Sequence, residues 1–157
     1  MLTAGAQAPP FSLPDTNGKR ISLEEALKQG PVLVAIYKAA CPVSQMTLPF
    51  LNKIGEEAPP DRLQVIAISQ DDESLTNHFR KKFKLAVPIL LDSEDDGFQV
   101  SNAFGITNVP SIFLVESDGV ISMTTQGFIK RDLESLGERG GVQTFSPTDR
   151  VPEWKAG

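Results

Sequence analysis

The sequence contains only one cysteine, Cys41, and only one histidine, His78. A single cysteine cannot form an intramolecular disulfide, so the stability of the fold has to come from its core. The two residues stand far apart and form no metal-ligand pattern, and we expect neither a metal ion nor a cofactor. A hydrolase that pairs them would need His78 beside Cys41. We expect His78 instead to be an exposed residue on a different helix.

Long apolar runs and clusters of positive charge are also missing. No apolar stretch approaches the about 20 residues that span a bilayer. The net charge is −5, which argues against nucleic acid or an anionic membrane surface as a partner. The one basic run, within residues 80–84, lies where a helix is predicted to end, and there it indicates a solvated helix terminus.

Residues 1–5 have no positive segment followed by an apolar one, so no signal peptide is present as written. This predicts a cytoplasmic protein, or an exported one if a leader has been removed. The length of 157 residues suits a single domain over 1–157. The polar, proline-containing residues 141–157 are predicted to be a C-terminal tail. This tail either docks through Trp154, the only tryptophan, or is disordered.

Short apolar segments alternate with helical patterns along the chain. Asn17-Gly18 predicts a hairpin between two short strands, and Ser22 and Glu25 have the spacing of a capping box for a helix that Gly30 can end. Further strands are predicted over 31–37, 63–69, 87–91, 110–115 and 120–123, and helices over 42–58, 71–84, 96–104 and 130–137. This order predicts an α/β fold with a mixed central sheet, helices on both faces and an added N-terminal β-hairpin.

Two details of these helices are also predicted. The apolar residues Leu75, Phe79 and Phe83 stand four apart and indicate one buried stripe on the third helix. Pro49 lies inside the second helix and predicts a kink rather than two separate helices. Asp92 and Asp118 are interpreted as turn residues.

The cysteine stands where a buried strand meets a helix. Pro42 follows Cys41, and proline is favoured at the first position of a helix. Free N–H groups and the helix dipole stabilise an anion at this point, so the position favours a nucleophilic thiolate. The alternative is a small buried hydrophobic residue, as many free cysteines are.

Three segments resemble the thioredoxin fold and, within it, the redoxin group of TlpA-like and alkyl hydroperoxide reductase/thiol-specific antioxidant (AhpC/TSA) proteins. The segment from Gly5 to Gly18 is similar to the redoxin N-terminal hairpin. Cys41-Pro42-Val43-Ser44, with Pro49 further on, resembles the Cys-x-x-Cys helix. Phe104–Ser111 is similar to the loop that carries a cis-proline opposite the active cysteine. The resemblance implies a thioredoxin-like fold and a cis Val109–Pro110 bond that exposes backbone for pairing with an extended substrate.

The chain departs from the family pattern at the residues that carry catalysis. Ser44 replaces the second cysteine, which resolves mixed disulfides in dithiol enzymes. Its hydroxyl either hydrogen-bonds to the Cys41 thiolate or is an ordinary first-turn serine. Ala35 stands where thioredoxins bury an acidic residue. Compared with peroxiredoxins, Lys38 replaces a threonine or serine, and Pro110 stands near the position of an arginine.

The resemblance therefore implies a monothiol thiol-disulfide oxidoreductase. Cys41 and Ser44 would be its catalytic residues, and Lys38, Pro42, Val109 and Pro110 would bind the substrate. The partner would be a disulfide or an oxidised thiol on a protein or a small molecule, and an external thiol such as glutathione would complete the cycle. A one-cysteine peroxidase and a redox-inactive binding module are the alternatives.

Overall fold

The computed structural model describes residues 1–157. Its centre is a five-stranded mixed sheet in the order β5-β4-β3-β6-β7. The parallel part consists of β3 (Val32–Tyr37), β4 (Gln64–Ser69) and β5 (Ile89–Leu91). The strands β6 (Ser111–Val115) and β7 (Ile121–Gln126) complete the sheet on the other side of β3 and are antiparallel to their neighbours. The predicted mixed sheet is confirmed.

The middle strand β3 explains why the sheet is covered on both faces. All six of its residues are buried, as expected of a strand between two helical layers. Leu33, Ala35 and Tyr37 point into one apolar cluster, and Val32, Val34 and Ile36 point into the other. This alternation follows from the two-residue period of a strand.

Helices cover both faces of the sheet. The first face carries α2 (Pro42–Glu57), α3 (Glu73–Phe83) and α5 (Lys130–Gly140), each of which contributes side chains to the first cluster. The second face carries α1 (Leu23–Leu27), α4 (Gln99–Ala103) and the hairpin of β1 (Ser12–Pro14) and β2 (Arg20–Ser22). The N-terminal hairpin and the single second helix through Pro49 are as predicted. No helix is both long and apolar enough to cross a bilayer.

Several local predictions need correction. The Ser22 side chain does cap α1 at the Glu25 amide, but α1 already ends at Leu27, before Gly30. The predicted helix over 96–104 is a 3₁₀ turn, Glu94–Asp96, followed by α4, because Phe98 adopts a left-handed conformation with φ 51° between them. Asp118 is a turn residue as interpreted, since it accepts from the Val120 amide at 3.0 Å.

Asp92 is not a turn residue. Its side chain is fully buried and accepts from the amides of Val100 and Ser101 and from the Ser101 hydroxyl, at 2.7–3.2 Å. It therefore satisfies the free N–H groups at the start of α4.

The prediction of one buried stripe on α3 is wrong at Leu75. Leu75 is 51% exposed, whereas Thr76 is fully buried. The Thr76 hydroxyl forms a 2.7 Å hydrogen bond with the hydroxyl of Ser69 on β4. This contact turns the helix so that Thr76 and Phe79 face the sheet and Leu75 faces solvent.

The C-terminal tail docks, but not through the side chain of its tryptophan. Trp154 is 63% exposed, whereas Val142, Thr144 and Phe145 are buried against the body. Further on, β9 (Trp154–Lys155) pairs antiparallel with β8 (Phe128–Ile129). The tail is therefore held by an apolar anchor near its start and by backbone pairing near its end.

Candidate active site

Cys41 caps the N-terminus of α2. Its backbone is extended, with φ −79° and ψ 117°, and Pro42 occupies the first helical position. The Cys41 sulfur accepts from the Ser44 amide at 3.4 Å, which is the bond that an N-cap side chain makes. Cys41 is partly exposed. A thiolate at this position still accepts the hydrogen bond from the Ser44 N–H, and it lies at the positive end of the dipole of the 16-residue helix α2.

The opposite wall of the site is the loop before β6. The Val109–Pro110 bond is cis, as predicted. The Cys41 thiol donates to the Val109 carbonyl oxygen at 3.4 Å. The structure thus brings Cys41, Val109 and Pro110 together across 68 residues of sequence, with Pro110 buried and Val109 partly exposed.

Of the two alternatives for the Ser44 hydroxyl, the hydrogen bond to Cys41 is not made. Ser44 is fully buried, and its hydroxyl has no hydrogen-bond partner. The main chain of Ser44 contacts the sulfur and the side chain does not, because the helix turns that side chain toward the core.

Two further side chains position the cysteine loop, and sequence reasoning missed both. The Asp71 carboxylate accepts from the Ala39 amide at 2.7 Å, and the Gln45 side chain donates to the Ala39 carbonyl at 2.8 Å. The Cys41 amide closes the turn by donating to the Lys38 carbonyl at 3.1 Å. The sequence signal for Asp71 was its place just after β4, since adjacent parallel strands end at the same sheet edge.

The remaining predicted residues lie at the surface of the site. Pro42 and Lys38 are exposed, and the Lys38 side chain makes no ion pair or hydrogen bond. His78 is exposed on α3 as predicted. It lines a cavity of about 230 Å³ beside the cysteine loop, together with Ala40, Leu75 and Lys82.

A buried tyrosine lies below the loop. Tyr37 ends β3, is fully buried, and stacks on Phe79 with ring centroids 4.8 Å apart. Burial raises the pKa of Tyr37 well above its ordinary value. Its hydroxyl has no hydrogen-bond partner.

Other parts of the molecule offer less chemistry. No group of three His, Cys, Asp or Glu side chains comes together to hold a metal ion. A larger cavity of about 720 Å³ lies at the opposite end of the sheet, between the N-terminal hairpin and the start of β4, and Arg20, Glu25 and Gln64 line it. It contains no nucleophilic cysteine, so we assign the candidate site to Cys41.

The sheet order, the cysteine at the start of α2 and the cis-proline loop opposite it define a thioredoxin-like protein of the redoxin group. Residues 4–124, most of the chain, match the AhpC/TSA family. The chain therefore belongs to the AhpC/TSA family.

Individual relatives agree with this assignment. The chain is 28% identical over 140 residues to the thiol-disulfide oxidoreductase ResA of Halalkalibacterium halodurans, a match that covers 88% of this chain and 77% of that protein. ResA of Geobacillus thermodenitrificans is 26% identical over 141 residues, covering 86% and 79%. The family and these relatives support a thiol redox function.

Solved structures show the same fold. The thioredoxin domain of a thiol-disulfide oxidoreductase from Bacteroides vulgatus superposes with a TM-score of 0.77 at 26% identity, covering 88% of this chain and 98% of that one. Peroxidoxin BcpB from Mycobacterium tuberculosis superposes with a TM-score of 0.73 at 20% identity, covering 88% and 96%. At that identity, the likeness to BcpB concerns the fold alone.

Proposed function

We propose that the protein is a monothiol thiol-disulfide oxidoreductase that acts through Cys41. The observation that carries this proposal is the position of Cys41 at the N-terminus of α2, where the residue is partly exposed and its sulfur accepts a hydrogen bond from the Ser44 N–H. Relatives named thiol-disulfide oxidoreductases favour a disulfide or an oxidised thiol as the substrate.

The proposed cycle has two exchange steps. The Cys41 thiolate attacks one sulfur of the substrate disulfide, forming a mixed disulfide and releasing the other substrate sulfur as a thiolate. An external thiolate then attacks the mixed disulfide at the substrate sulfur and regenerates the Cys41 thiolate. The substrate sulfur leaves bonded to the external thiol, and a second external thiol completes its two-electron reduction.

Each residue near the sulfur has a proposed part in this cycle. The Ser44 amide and the start of α2 stabilise the thiolate, both before attack and when Cys41 is the leaving group. Val109 and Pro110 line one side of the substrate groove. Pro42 and Lys38 contact the substrate at the exposed rim of the groove.

The absence of a second cysteine gives the first testable prediction. The wild-type protein is expected to accumulate a mixed disulfide at Cys41 when treated with a small disulfide without added thiol, because no internal thiol can resolve it. The Ser44→Cys variant is expected to lose the adduct and to form an internal disulfide between Cys41 and the thiol introduced at position 44. Intact-protein mass spectrometry distinguishes the adduct from the internal disulfide.

Ser44→Ala is the matched control, and its adduct is expected to persist as in the wild type. The Cys41→Ala variant should form none. A wild-type protein that forms no adduct with any small disulfide contradicts the proposed function and leaves the redox-inactive binding module, which keeps its binding in Cys41→Ala.

A one-cysteine peroxidase is the second candidate, and the AhpC/TSA match favours it. In that reaction the Cys41 thiolate attacks one peroxide oxygen and the O–O bond breaks, which gives a sulfenic acid. The alkoxide or hydroxide that leaves takes a proton from solvent and is released as an alcohol or water. Rapid sulfenic acid formation at Cys41 with stoichiometric peroxide supports this candidate. A rate no faster than that of a free cysteine thiolate excludes it.

A further inference from the structure

The end of the C-terminal tail lies on the cis-proline loop. After β9 pairs with β8, the chain continues past Gly127 and reaches Val109 at Gly157. A Cβ atom at Gly157 would lie within 3.0 Å of the Val109 carbonyl carbon and closer still to its oxygen. The Val109 carbonyl is the group that accepts the hydrogen bond from the Cys41 thiol. Gly157 of the segment 153–157 therefore lies against the backbone that forms one wall of the candidate site.

Glycine permits the close approach along this path. Gly127 has φ +72°, and a Cβ there would lie 2.5 Å from the Lys155 carbonyl oxygen and 2.9 Å from the Gly157 nitrogen. A side chain at Gly127 or Gly157 would push the tail off the surface. Glycine at positions 127 and 157 therefore allows the tail to lie close to the sheet edge.

The C-terminal tail is held by buried contacts near its start, at residues 144–145, and by exposed contacts at residues 153–157. Near the start of the tail, the ring centroids of Phe145 and Phe50 lie 4.6 Å apart, and the Thr144 hydroxyl donates to the Leu133 carbonyl at 3.0 Å. At the end, the Lys130 amide donates to the Glu153 carbonyl at 3.0 Å, the exposed Glu153 carboxylate lies 3.8 Å from the Lys130 ammonium, and residues 152–157 are all exposed. A segment held by a few exposed contacts opens at low cost in free energy.

We propose that residues 153–157 select the substrate by covering the Val109 backbone. An extended polypeptide that pairs with that backbone to reach Cys41 would meet the tail at Gly157, whereas a small disulfide can approach the partly exposed Cys41 without this pairing. The protein accordingly prefers low-molecular-weight disulfides, and it accepts a disulfide within an extended chain only when the tail lifts. The choice of disulfides rests on the proposed function, but the claim about access to Cys41 does not.

Alkylation of the only cysteine tests access without any redox step. The reagents are N-ethylmaleimide and a maleimide carried on a central side chain of an extended peptide. Removing residues 153–157 is expected to raise the rate with the peptide maleimide by about tenfold or more and to change the rate with N-ethylmaleimide by less than about twofold. Equal increases with both reagents, or no increase with the peptide maleimide, would overturn the proposal.

A matched pair of point variants covers the case in which the shortened chain does not fold. Gly157→Val is expected to lift the tail and to raise the peptide maleimide rate, because its side chain meets the Val109 carbonyl. Ala156→Val, at the neighbouring exposed position, should behave as the wild type. The fluorescence anisotropy of Trp154 reports whether the segment is released. A released tail with an unchanged peptide maleimide rate contradicts the proposal.

Disulfide exchange then separates this inference from the proposed function. The shortened chain is expected to react faster with a peptide disulfide and equally fast with 2-hydroxyethyl disulfide. If the maleimide rates change as expected but neither disulfide reacts, the tail controls access and the proposed function is wrong. If both disulfides react equally in the full chain, the selection by the tail is wrong and the proposed function stands.

Discussion

At the scale of single residues, two buried hydroxyl groups near the site lack partners. Ser44 and Tyr37 are both fully buried, and neither hydroxyl forms a hydrogen bond. An unpaired buried hydroxyl costs on the order of 1–3 kcal/mol, because it has left water without compensation. Such groups near the Cys41 sulfur are sites where a substitution changes stability without removing a hydrogen bond.

Tyr37→Phe is expected to leave the unfolding free energy unchanged or to raise it by about 1 kcal/mol at neutral pH. The pH dependence is sharper, since burial raises the pKa of Tyr37 in the folded state. Above about pH 10 the unfolded chain loses the phenol proton while the folded chain keeps it, so wild-type stability falls with pH by about 1.4 kcal/mol per unit from this group. Urea unfolding at neutral and alkaline pH measures both effects.

Comparison of the wild type with Tyr37→Phe separates the effect of Tyr37 from that of the lysines. The lysines also titrate at alkaline pH, but they are common to both proteins. Tyr37 is the only tyrosine, so tyrosinate absorbance follows this group alone. An equal loss of stability in both proteins above pH 10 would contradict the prediction.

At the scale of the elements, the position of Cys41 depends on the loop between β3 and α2. The Asp71 carboxylate, just after β4, accepts a hydrogen bond from the Ala39 amide and so ties this loop to the segment that follows the neighbouring strand. Gln45, one turn into α2, holds the carbonyl of the same residue. The loop is therefore fixed from both sides by side chains that do not touch the sulfur.

Asp71→Ala is expected to lower the unfolding free energy by about 1–3 kcal/mol, because it leaves the part-buried Ala39 amide without its acceptor. Hydrogen exchange at the Ala39 amide should accelerate by about tenfold or more. Asp71→Asn keeps an acceptor oxygen and should retain most of the protection. Unchanged exchange in Asp71→Ala would show that the loop does not depend on this bond.

At the scale of the whole molecule, an ion pair ties the end of β6 to the last helix. The Arg139 guanidinium donates to both oxygens of Glu116, at 2.7 and 2.9 Å. This pairing lowers the pKa of Glu116 below its ordinary value. Because both groups are partly exposed, the pair is worth less than about 1 kcal/mol.

Arg139→Gln is expected to lower stability at neutral pH by that amount, and the difference should vanish in acid. Glu116 is ionised and paired above its unfolded pKa of about 4.3, and the stabilisation is lost as pH falls through the lower folded value. Urea unfolding at pH 7 and at about pH 3 measures the difference. Arg131→Gln, an unpaired arginine on the same helix, is the control, and a difference from wild type that persists in acid would contradict the prediction.

The sequence by itself determined the features that depend on local patterns. The buried strands, the order of the elements and the cysteine at the start of α2 follow from apolar runs, periodicity and Pro42. The cis bond before Pro110 was implied by the family resemblance. These features depend on neighbouring residues or on a shared motif, so the linear chain contains them.

Only the tertiary structure decided which side chains meet. The Ser44 hydroxyl turns into the core, and a bond to Ser69 on another strand buries Thr76 and leaves Leu75 exposed. The tail docks through Phe145 and backbone pairing rather than through the Trp154 side chain, and its Gly157 lies against the Val109 backbone. Each outcome depends on contacts between residues that are distant in sequence, and no local pattern specifies the rotation and close approach that bring them together.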